Sequence, residues 1–395
     1  MLRGARAGPG LVVVICFLIA ALEGYDIQAF GVSAPKLAPE LGLNPGQVGW
    51  AASAAMIGLV FGAFGGGWLS DRIGRRPVLT VSVALFGVFS VVSAYAPNYE
   101  MLLLARLATG VGFGGAMPNL MAVATEISPP HRRAATVTTM FCGLPAGGAA
   151  VALIARFAPD LDWRTLFLIG GVAPILLAPV IHLLLPETRP AHDPAADHRL
   201  GAALFGEGRL AATLLLWLVF MLTLVVLYLM LNWLPSLVIA KGLTPQDGSA
   251  ASLSFNLASI VGALLLGFVV DRAGYRWPLT VTYALLAGVM LLLAQATGLG
   301  PVLLLAGLAG FLVLGAQYAL YAVAPVLYPP HVRAAGGGAA IGVGRFGSIA
   351  GPLLAGELRQ IGWSAGEVFA LMAPVVLAAG AACLALGFLG RTRDD

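Results

Sequence analysis

Two carboxylates stand inside the first apolar stretch of the chain, where a membrane-crossing helix is expected. Glu23 and Asp26 follow twelve consecutive apolar residues, 11–22, and the apolar pattern resumes after them. Three positions apart, they share one helical face. An acid in hydrocarbon costs about 2.5–3.5 kcal/mol on insertion scales, so it normally faces a partner or a polar path. The pattern indicates an intramembrane acid that faces a polar path; the alternative is a pair of acids that cap the outer end of the helix in the lipid headgroups.

A basic residue is expected at a similar depth in the fourth apolar segment. Arg106 lies six residues into that segment, about 9 Å from its end, and Asp26 lies about 13 Å from the same membrane surface. The two side chains can form an ion pair if the first and fourth segments are neighbours, and pairing lowers the insertion cost of both. The alternative is an arginine whose head extends to the membrane surface.

Arg345 lies deeper in its segment, about nine residues from the nearer end, among several glycines that allow close backbone approach. A guanidinium in a low-dielectric site is a good two-pronged receptor for a carboxylate. We therefore expect Arg345, and with it Arg106, to hold an anionic substrate. The alternative for Arg345 is a structural contact with another polar residue.

Two pairs of polar and aromatic residues share helical faces in the second half of the chain. Tyr228 and Asn232 are four apart, as are Gln317 and Tyr321. They can offer aromatic contacts and hydrogen bonds to a substrate ring. Ordinary helix packing is the competing interpretation of such spacing.

The composition is that of a membrane protein. Of 395 residues, 59% are hydrophobic and 10% charged, and the mean hydropathy is +0.92; a soluble domain is near 25% charged. Twelve apolar segments are each long enough to cross a bilayer. The net charge of +4 comes from loops and does not indicate nucleic-acid binding. The pattern contains no metal-ligand cluster, cofactor motif, phosphate-binding glycine loop or catalytic constellation, so we expect neither an enzyme nor an ATP-driven pump.

Basic residues are distributed unevenly between the two sides. With odd segments running outward, 15 of the 22 lysines and arginines fall inside, 5 outside and 2 within segments. The positive-inside rule then predicts that both termini are cytoplasmic. The membrane that we expect is the plasma (inner) membrane, of a bacterial cell.

The chain repeats itself at an offset of 200 residues. The segment Gly67–Arg76 recurs at Gly267–Arg276, Pro129–Ala135 recurs at Pro329–Ala335, and Trp163 recurs as Trp363. An offset of six segments preserves orientation, so the halves are parallel repeats. The sequence predicts an all-α membrane protein of twelve transmembrane helices in two six-helix bundles, residues 1–185 and 211–395, joined by a cytoplasmic linker, residues 186–210.

The repeated loop after the second and eighth segments is a candidate gate. The residues that we expect to act in gating are Asp71, Arg72, Arg75, Arg76, Asp271 and Arg272. Asp71 is expected either to pair with a neighbouring arginine or to sit at a helix terminus, biasing one conformational state. A solvated basic loop that only sets topology is the alternative.

The sequence GWLSDRIGRR at 67–76 resembles the signature loop of the major facilitator superfamily. Glu23-Gly-Tyr-Asp26, Pro118-Asn119 with Glu126, residues 141–145 and residues 342–352 resemble the aromatic acid:H⁺ symporters of that superfamily. The first acid departs from that subgroup, being Glu23 rather than Asp. The resemblance implies two bundles around a cavity with alternating access, and a monomer in the lipid bilayer that imports a small organic anion, an aromatic carboxylate, with protons carried by Asp26 and Glu23.

Two other functions remain open. Residues 143–148 partly resemble an antiporter pattern, which keeps a proton-driven drug or metabolite exporter as an alternative. A non-transporting membrane sensor would need an output domain, and the sequence offers no candidate for one.

Overall fold

The structure is a computed structural model that describes residues 8–129, 133–187, 204–206, 208–328 and 333–389. The chain divides into two compact units, unit 1 (Met1–His192) and unit 2 (Asp193–Asp395). The described residues are helical, without strands, and include twelve helical segments long and apolar enough to cross a membrane. Most of the predicted linker, 186–210, lies outside the described residues, as do the termini.

Unit 1 contains seven described helices. They are α1 (Pro9–Glu40), α2 (Pro45–Ile73), α3 (Arg75–Ala94), α4 (Tyr99–Ile127), α5 (Arg133–Phe141), α6 (Gly143–Phe157) and α7 (Trp163–Leu184). Unit 2 contains six described helices. They are α8 (Leu210–Ala240), α9 (Pro245–Ala273), α10 (Arg276–Gln295), α11 (Leu299–Val326), α12 (Arg333–Gln360) and α13 (Ala365–Leu389).

The sequence predicts its fifth apolar segment at about residues 134–157, and the structure interrupts this segment where α5 and α6 meet at Cys142. Pro145 has no N–H with which to bond the carbonyl of Phe141, four residues before it, so the regular hydrogen-bond ladder is broken there. Bonds on either side persist, from Cys142 N to Thr138 O over 3.0 Å and from Ala146 N to Cys142 O over 3.2 Å. The two short helices therefore form one crossing.

The repeat extends to how individual helices begin. At the start of α2 the Asn44 side chain accepts from the Gln47 backbone N–H while the Gln47 side chain accepts from Asn44 N. Thr244 and Asp247 make the same reciprocal contacts at the start of α9, 200 residues later. Such a capping box satisfies two otherwise unpaired backbone donors. The same chemistry therefore fixes where both helices start.

Glycines bring the first and fifth crossings of each unit into backbone contact. An ideal Cβ built on Gly147 would lie 1.8 Å from the carbonyl oxygen of Ala21, so α6 packs directly against α1. In unit 2 an ideal Cβ on Gly347 would lie 2.0 Å from the carbonyl oxygen of Met221, and α12 packs against α8 in the same way. Small residues permit such approach between membrane helices. These contacts position Asp26 and Arg345, which lie on α1 and α12.

Candidate functional site

The first polar cluster lies in unit 1 and is built on an ion pair between α1 and α4. Arg106 Nη1 donates to Asp26 Oδ2 over 2.7 Å, and the two side chains are 1% and 0% exposed. The ion pair expected from the depths of the two residues is therefore present. Arg106 is enclosed by protein, so the alternative in which its head extends to the surface is not found. The role of the pair in transport stays a prediction.

Ser90 on α3 extends this cluster. Its Oγ is hydrogen-bonded to Asp26 Oδ1 and lies 3.1 Å from the backbone carbonyl oxygen of Phe167 on α7. A hydroxyl has one proton, so Ser90 donates to one of these acceptors at a time. If Asp26 takes up a proton, it can donate to Ser90 Oγ while Ser90 donates to Phe167. Asp26 can therefore keep a hydrogen bond to Ser90 in both of its protonation states.

Aromatic rings and a glycine enclose the ion pair. The guanidinium carbon of Arg106 lies 5.5 Å from the ring centroid of Phe30 and 5.7 Å from that of Phe167, within the roughly 6 Å range of a cation–π contact. An ideal Cβ on Gly170 would lie 3.1 Å from the Tyr25 ring and 3.7 Å from Asp26 Oδ1. Apolar surroundings of this kind strengthen the attraction between the paired charges.

Glu23 lies one turn before Asp26 and is also buried, at 1% exposed. Neither acid occupies an exposed helix end, so the headgroup placement is not what the structure shows. Between them, an ideal Cβ on Gly24 would lie 2.0 Å from the carbonyl oxygen of Leu144 on α6. The two acids therefore belong to a stretch of α1 that is packed tightly inside unit 1.

The second polar cluster lies in unit 2 around Arg345 on α12. Its side chain is half-buried, and Nη1 donates to the hydroxyl of Tyr228 on α8 over 3.1 Å. Asn232 Nδ2 donates to the backbone carbonyl of Tyr228 over 2.9 Å. The structure thus brings Arg345 together with the pair Tyr228 and Asn232, which the sequence had singled out separately from it.

Aromatic rings continue this cluster towards α11. The ring centroids of Phe220 and Tyr321 are 5.7 Å apart, and those of Tyr318 and Tyr321 are 6.1 Å apart. An ideal Cβ on Gly344, the residue before Arg345, would lie 3.1 Å from Phe220 Cβ. Phe220 therefore contacts both α12 beside the arginine and the Tyr321 ring. Sequence reasoning missed Phe220, as it missed Ser90, because neither residue type is distinctive in an apolar helix.

The two clusters are not copies of each other. Val226, Met290 and Ala306 occupy the positions 200 residues after Asp26, Ser90 and Arg106, and all three are buried. The repeat therefore retains the helices while replacing the ion pair by apolar packing. Arg345 likewise has no basic counterpart, because proline occupies position 145. One unit carries the buried acid–base pair and the other carries the half-buried cation.

The candidate gate in unit 1 is held by two carboxylates. Arg75 Nη1 lies 2.7 Å from Glu126 Oε1 on α4. Glu187 Oε1 accepts from the Arg75 backbone N–H over 2.8 Å, and Glu187 Oε2 lies 3.9 Å from Arg76 Nε. An acid at a helix N-terminus is favoured by the exposed N–H groups. Gly74, with φ of 98°, leaves room for it, since an ideal Cβ there would lie 2.4 Å from Glu187 Oε1.

Asp71 takes the second of its two expected placements, a helix terminus. It lies exposed in the last turn of α2, and it forms no ion pair within the described part of the chain. Arg72 instead has its guanidinium carbon 3.8 Å from the Trp68 ring centroid. The repeat reproduces this contact between Arg272 and Phe268, at 4.0 Å, beside an exposed Asp271.

The carboxylate contacts of the first gate loop are not repeated in unit 2. Val326 and Gly387 occupy the positions equivalent to Glu126 and Glu187. The guanidinium carbon of Arg276 instead lies 3.5 Å from the Phe388 ring centroid. Across the described residues, no cluster of histidine, cysteine, aspartate or glutamate has the size needed to hold a metal ion.

Comparison with known proteins decides the family. A model of the Major Facilitator Superfamily matches residues 16–352. The chain belongs to the major facilitator superfamily. Proteins of this superfamily and the curated relatives of the chain are transporters, so the chain is a multi-pass membrane transporter and not an enzyme.

Among its curated relatives, this superfamily member is 40% identical to the 3-(3-hydroxy-phenyl)propionate transporter of Escherichia coli, with 95% of this chain and 93% of the relative covered. It is 36% identical to the 4-hydroxybenzoate transporter PcaK of Pseudomonas aeruginosa, with 94% and 91% covered. These similarities confirm the resemblance to aromatic acid transporters. A solved bacterial homologue of the human lysosomal transporter Spinster, in an inward-facing and occupied conformation, has a TM-score of 0.76 at 18% identity, with 98% of each chain covered. It supports the twelve-helix fold.

Proposed function

We propose that this transporter imports a small aromatic carboxylate together with protons, by alternating access. The relatives of the chain and its structure both support this proposal. Its relatives are named as transporters of hydroxyphenylpropionate and hydroxybenzoate. The structure also offers a cation beside aromatic rings in one unit and a buried acid in the other.

The observation that carries the anion assignment is the contact between Arg345 and Tyr228. A guanidinium offers five N–H donors in a plane, and two parallel ones can bind a carboxylate. The Tyr228 hydroxyl, 3.1 Å from Nη1, fixes the orientation of that plane. Half-buried Tyr321, whose ring packs against the buried Phe220, can provide aromatic surface for a substrate ring. Arg106 is engaged by Asp26, so we assign it to the proton site rather than to the substrate.

Proton coupling is assigned to Asp26. While Arg106 contacts it, the carboxylate is stabilised in its charged form. If transport separates Asp26 from Arg106, the buried carboxylate is left without a counter-charge, which has a high free-energy cost. Uptake of a proton removes the charge and with it that cost. Ser90 can hydrogen-bond Asp26 before and after this step. Glu23, one turn away and buried, tunes the proton site through like-charge repulsion.

The proposal places the protein as a monomer in the bacterial inner membrane, with both termini in the cytoplasm. The proposed orientation rests on the bias of basic residues towards the loops assigned to that side. Ile361, 69% exposed after α12, is then periplasmic, and residue 195 is cytoplasmic. Ile361→Cys should react with an impermeant thiol reagent on intact spheroplasts, and Ala195→Cys should react only after lysis. The opposite labelling pattern would show that the protein has the opposite orientation in the membrane.

The transport activity is tested directly in proteoliposomes. Labelled benzoate, 4-hydroxybenzoate, 3-(3-hydroxyphenyl)propionate and an aliphatic acid, succinate, are offered with and without an inward proton gradient. We expect accumulation of an aromatic acid that needs the gradient and stops when a protonophore is added. Accumulation that ignores the protonophore would refute symport. Transport of succinate alone would refute the aromatic substrate.

A further inference from the structure

Gln317 on α11 is a buried amide whose hydrogen-bonding capacity is unused in the part of the chain that the structure describes. The residue is 1% exposed. Within the described residues neither its Nε2 nor its Oε1 has a hydrogen-bond partner. Other buried amides are satisfied locally: Asn256 Nδ2 donates to Ser252 O over 2.7 Å, and Asn232 Nδ2 to Tyr228 O. Because buried polar groups are almost always paired, an amide with both functions unused points to a ligand that supplies them.

The position of Gln317 relates it to the aromatic part of the second cluster. It lies one helical turn before Tyr321, about 6 Å along α11. The Tyr321 ring packs against Phe220, and Phe220 contacts Gly344, the neighbour of Arg345. A substrate ring that lies against half-buried Tyr321, with its carboxylate on Arg345, would direct its other substituents towards α11.

We infer that Gln317 is a specificity residue that recognises hydroxyl groups on the substrate ring. The inference rests on the proposed function, because it assumes an aromatic carboxylate at Arg345. A hydroxyl can donate to Oε1 or accept from Nε2. Two adjacent ring hydroxyls can use both atoms of the amide at once, whereas an unsubstituted ring leaves both unpaired. A site built to hydrogen-bond a hydroxyl discriminates strongly against the analogue that lacks it.

The test compares benzoate, 4-hydroxybenzoate and 3,4-dihydroxybenzoate as binding probes for the purified full-length protein. Their Kd values are measured for the parent and for Gln317→Met, which keeps the length of the side chain and removes its donor and acceptor. Asn256→Leu is the matched control, because it also removes a buried amide of unit 2, one that already bonds its own helix. Gln317→Asn is a second variant that keeps the amide but withdraws it by one carbon.

We expect the parent to prefer the hydroxylated acids, with the dihydroxylated acid bound most tightly. Gln317→Met should lose about tenfold in affinity for these acids and little for benzoate; Gln317→Asn should lose part of the preference and Asn256→Leu none. A preference that persists in Gln317→Met, or an equal loss for all three acids, would refute the inference. If the parent prefers benzoate, the inference is also wrong. If the parent binds none of the three acids, the proposed function itself is wrong. The measurements on the parent are sufficient to show this, without those on the variants.

Discussion

Arg106 Nη1 and Asp26 Oδ2 lie 2.7 Å apart inside unit 1, and both side chains are almost completely buried. A buried ion pair is strongly destabilised when one partner is removed, because the other charge is left uncompensated. Neutralising Asp26 and neutralising Arg106 should therefore have different consequences. When Asp26 is neutralised, the remaining cation is Arg106. Its guanidinium carbon also lies 5.5 Å from the ring centroid of Phe30 and 5.7 Å from that of Phe167.

Asp26→Asn should abolish proton-driven accumulation while leaving exchange of substrate between the two sides of the membrane. Asparagine keeps the shape of the side chain but cannot release a proton, and exchange does not require that release. Accumulation and exchange are measured side by side in proteoliposomes. Glu23→Gln is the matched variant and should have the milder effect. Full accumulation by Asp26→Asn would remove its proton role, and a loss in Glu23→Gln alone would transfer that role to Glu23.

Ser90→Ala should slow proton-coupled transport and alter its dependence on pH. The substitution removes the hydroxyl that bonds Asp26 and can turn to the Phe167 carbonyl. One such bond contributes about 0.5–1.5 kcal/mol, so a change in rate of roughly two- to twelvefold is expected. Ser90→Thr retains the hydroxyl and should restore most of the pH profile. A Ser90→Ala protein whose accumulation has the parent's pH profile would show that the hydroxyl is only structural.

Arg345→Lys should weaken binding of an aromatic acid although the charge is kept. An ammonium group lacks the planar fork that matches a carboxylate, and its contact with Tyr228 would change. Arg345→Ala should be worse, and Tyr228→Phe should lose about tenfold or less, as for one hydrogen bond. Arg359→Lys is a control on the same helix, because Arg359 bonds a backbone carbonyl, that of Trp363, which lysine can also reach. Parental affinity in both Arg345 variants would make Arg345 structural.

Gly74→Ala and Gly274→Ala form a matched pair that isolates the contact of Glu187. Both glycines have positive φ, 98° and 73°, with ψ of 163° and 165°, a region where other residues lose roughly 1–3 kcal/mol. A Cβ on Gly74 would also collide with Glu187, whereas nothing lies within 4 Å of one on Gly274. The apparent Tm in detergent should fall more for Gly74→Ala. Equal decreases would mean that Glu187 does not hold this loop.

The sequence by itself was sufficient for the fold and for one contact of the site. Helix length and hydropathy determined the twelve crossings, since a bilayer requires about 20 apolar residues and internally satisfied backbone groups. The 200-residue offset determined that the halves repeat, and the structure extends the repeat to the capping boxes at Asn44 and Thr244. Membrane helices run roughly perpendicular to the bilayer, so residue depth can be counted. That is why the pairing of Asp26 with Arg106 could be predicted.

Only the tertiary structure decided which side chains meet at a given depth. Depth does not specify the rotation or the neighbours of a helix, so Ser90 beside Asp26 and Phe220 beside Tyr321 could not be read from their spacing. The same applies to Arg75, which pairs with Glu126 on α4 rather than with nearby Asp71. Gln317 shows the point most clearly, because the lack of a partner for its amide among the described residues becomes visible only once those residues have positions. Hydrogen bonds depend on distances of about 3 Å and on direction, and packing between helices sets both.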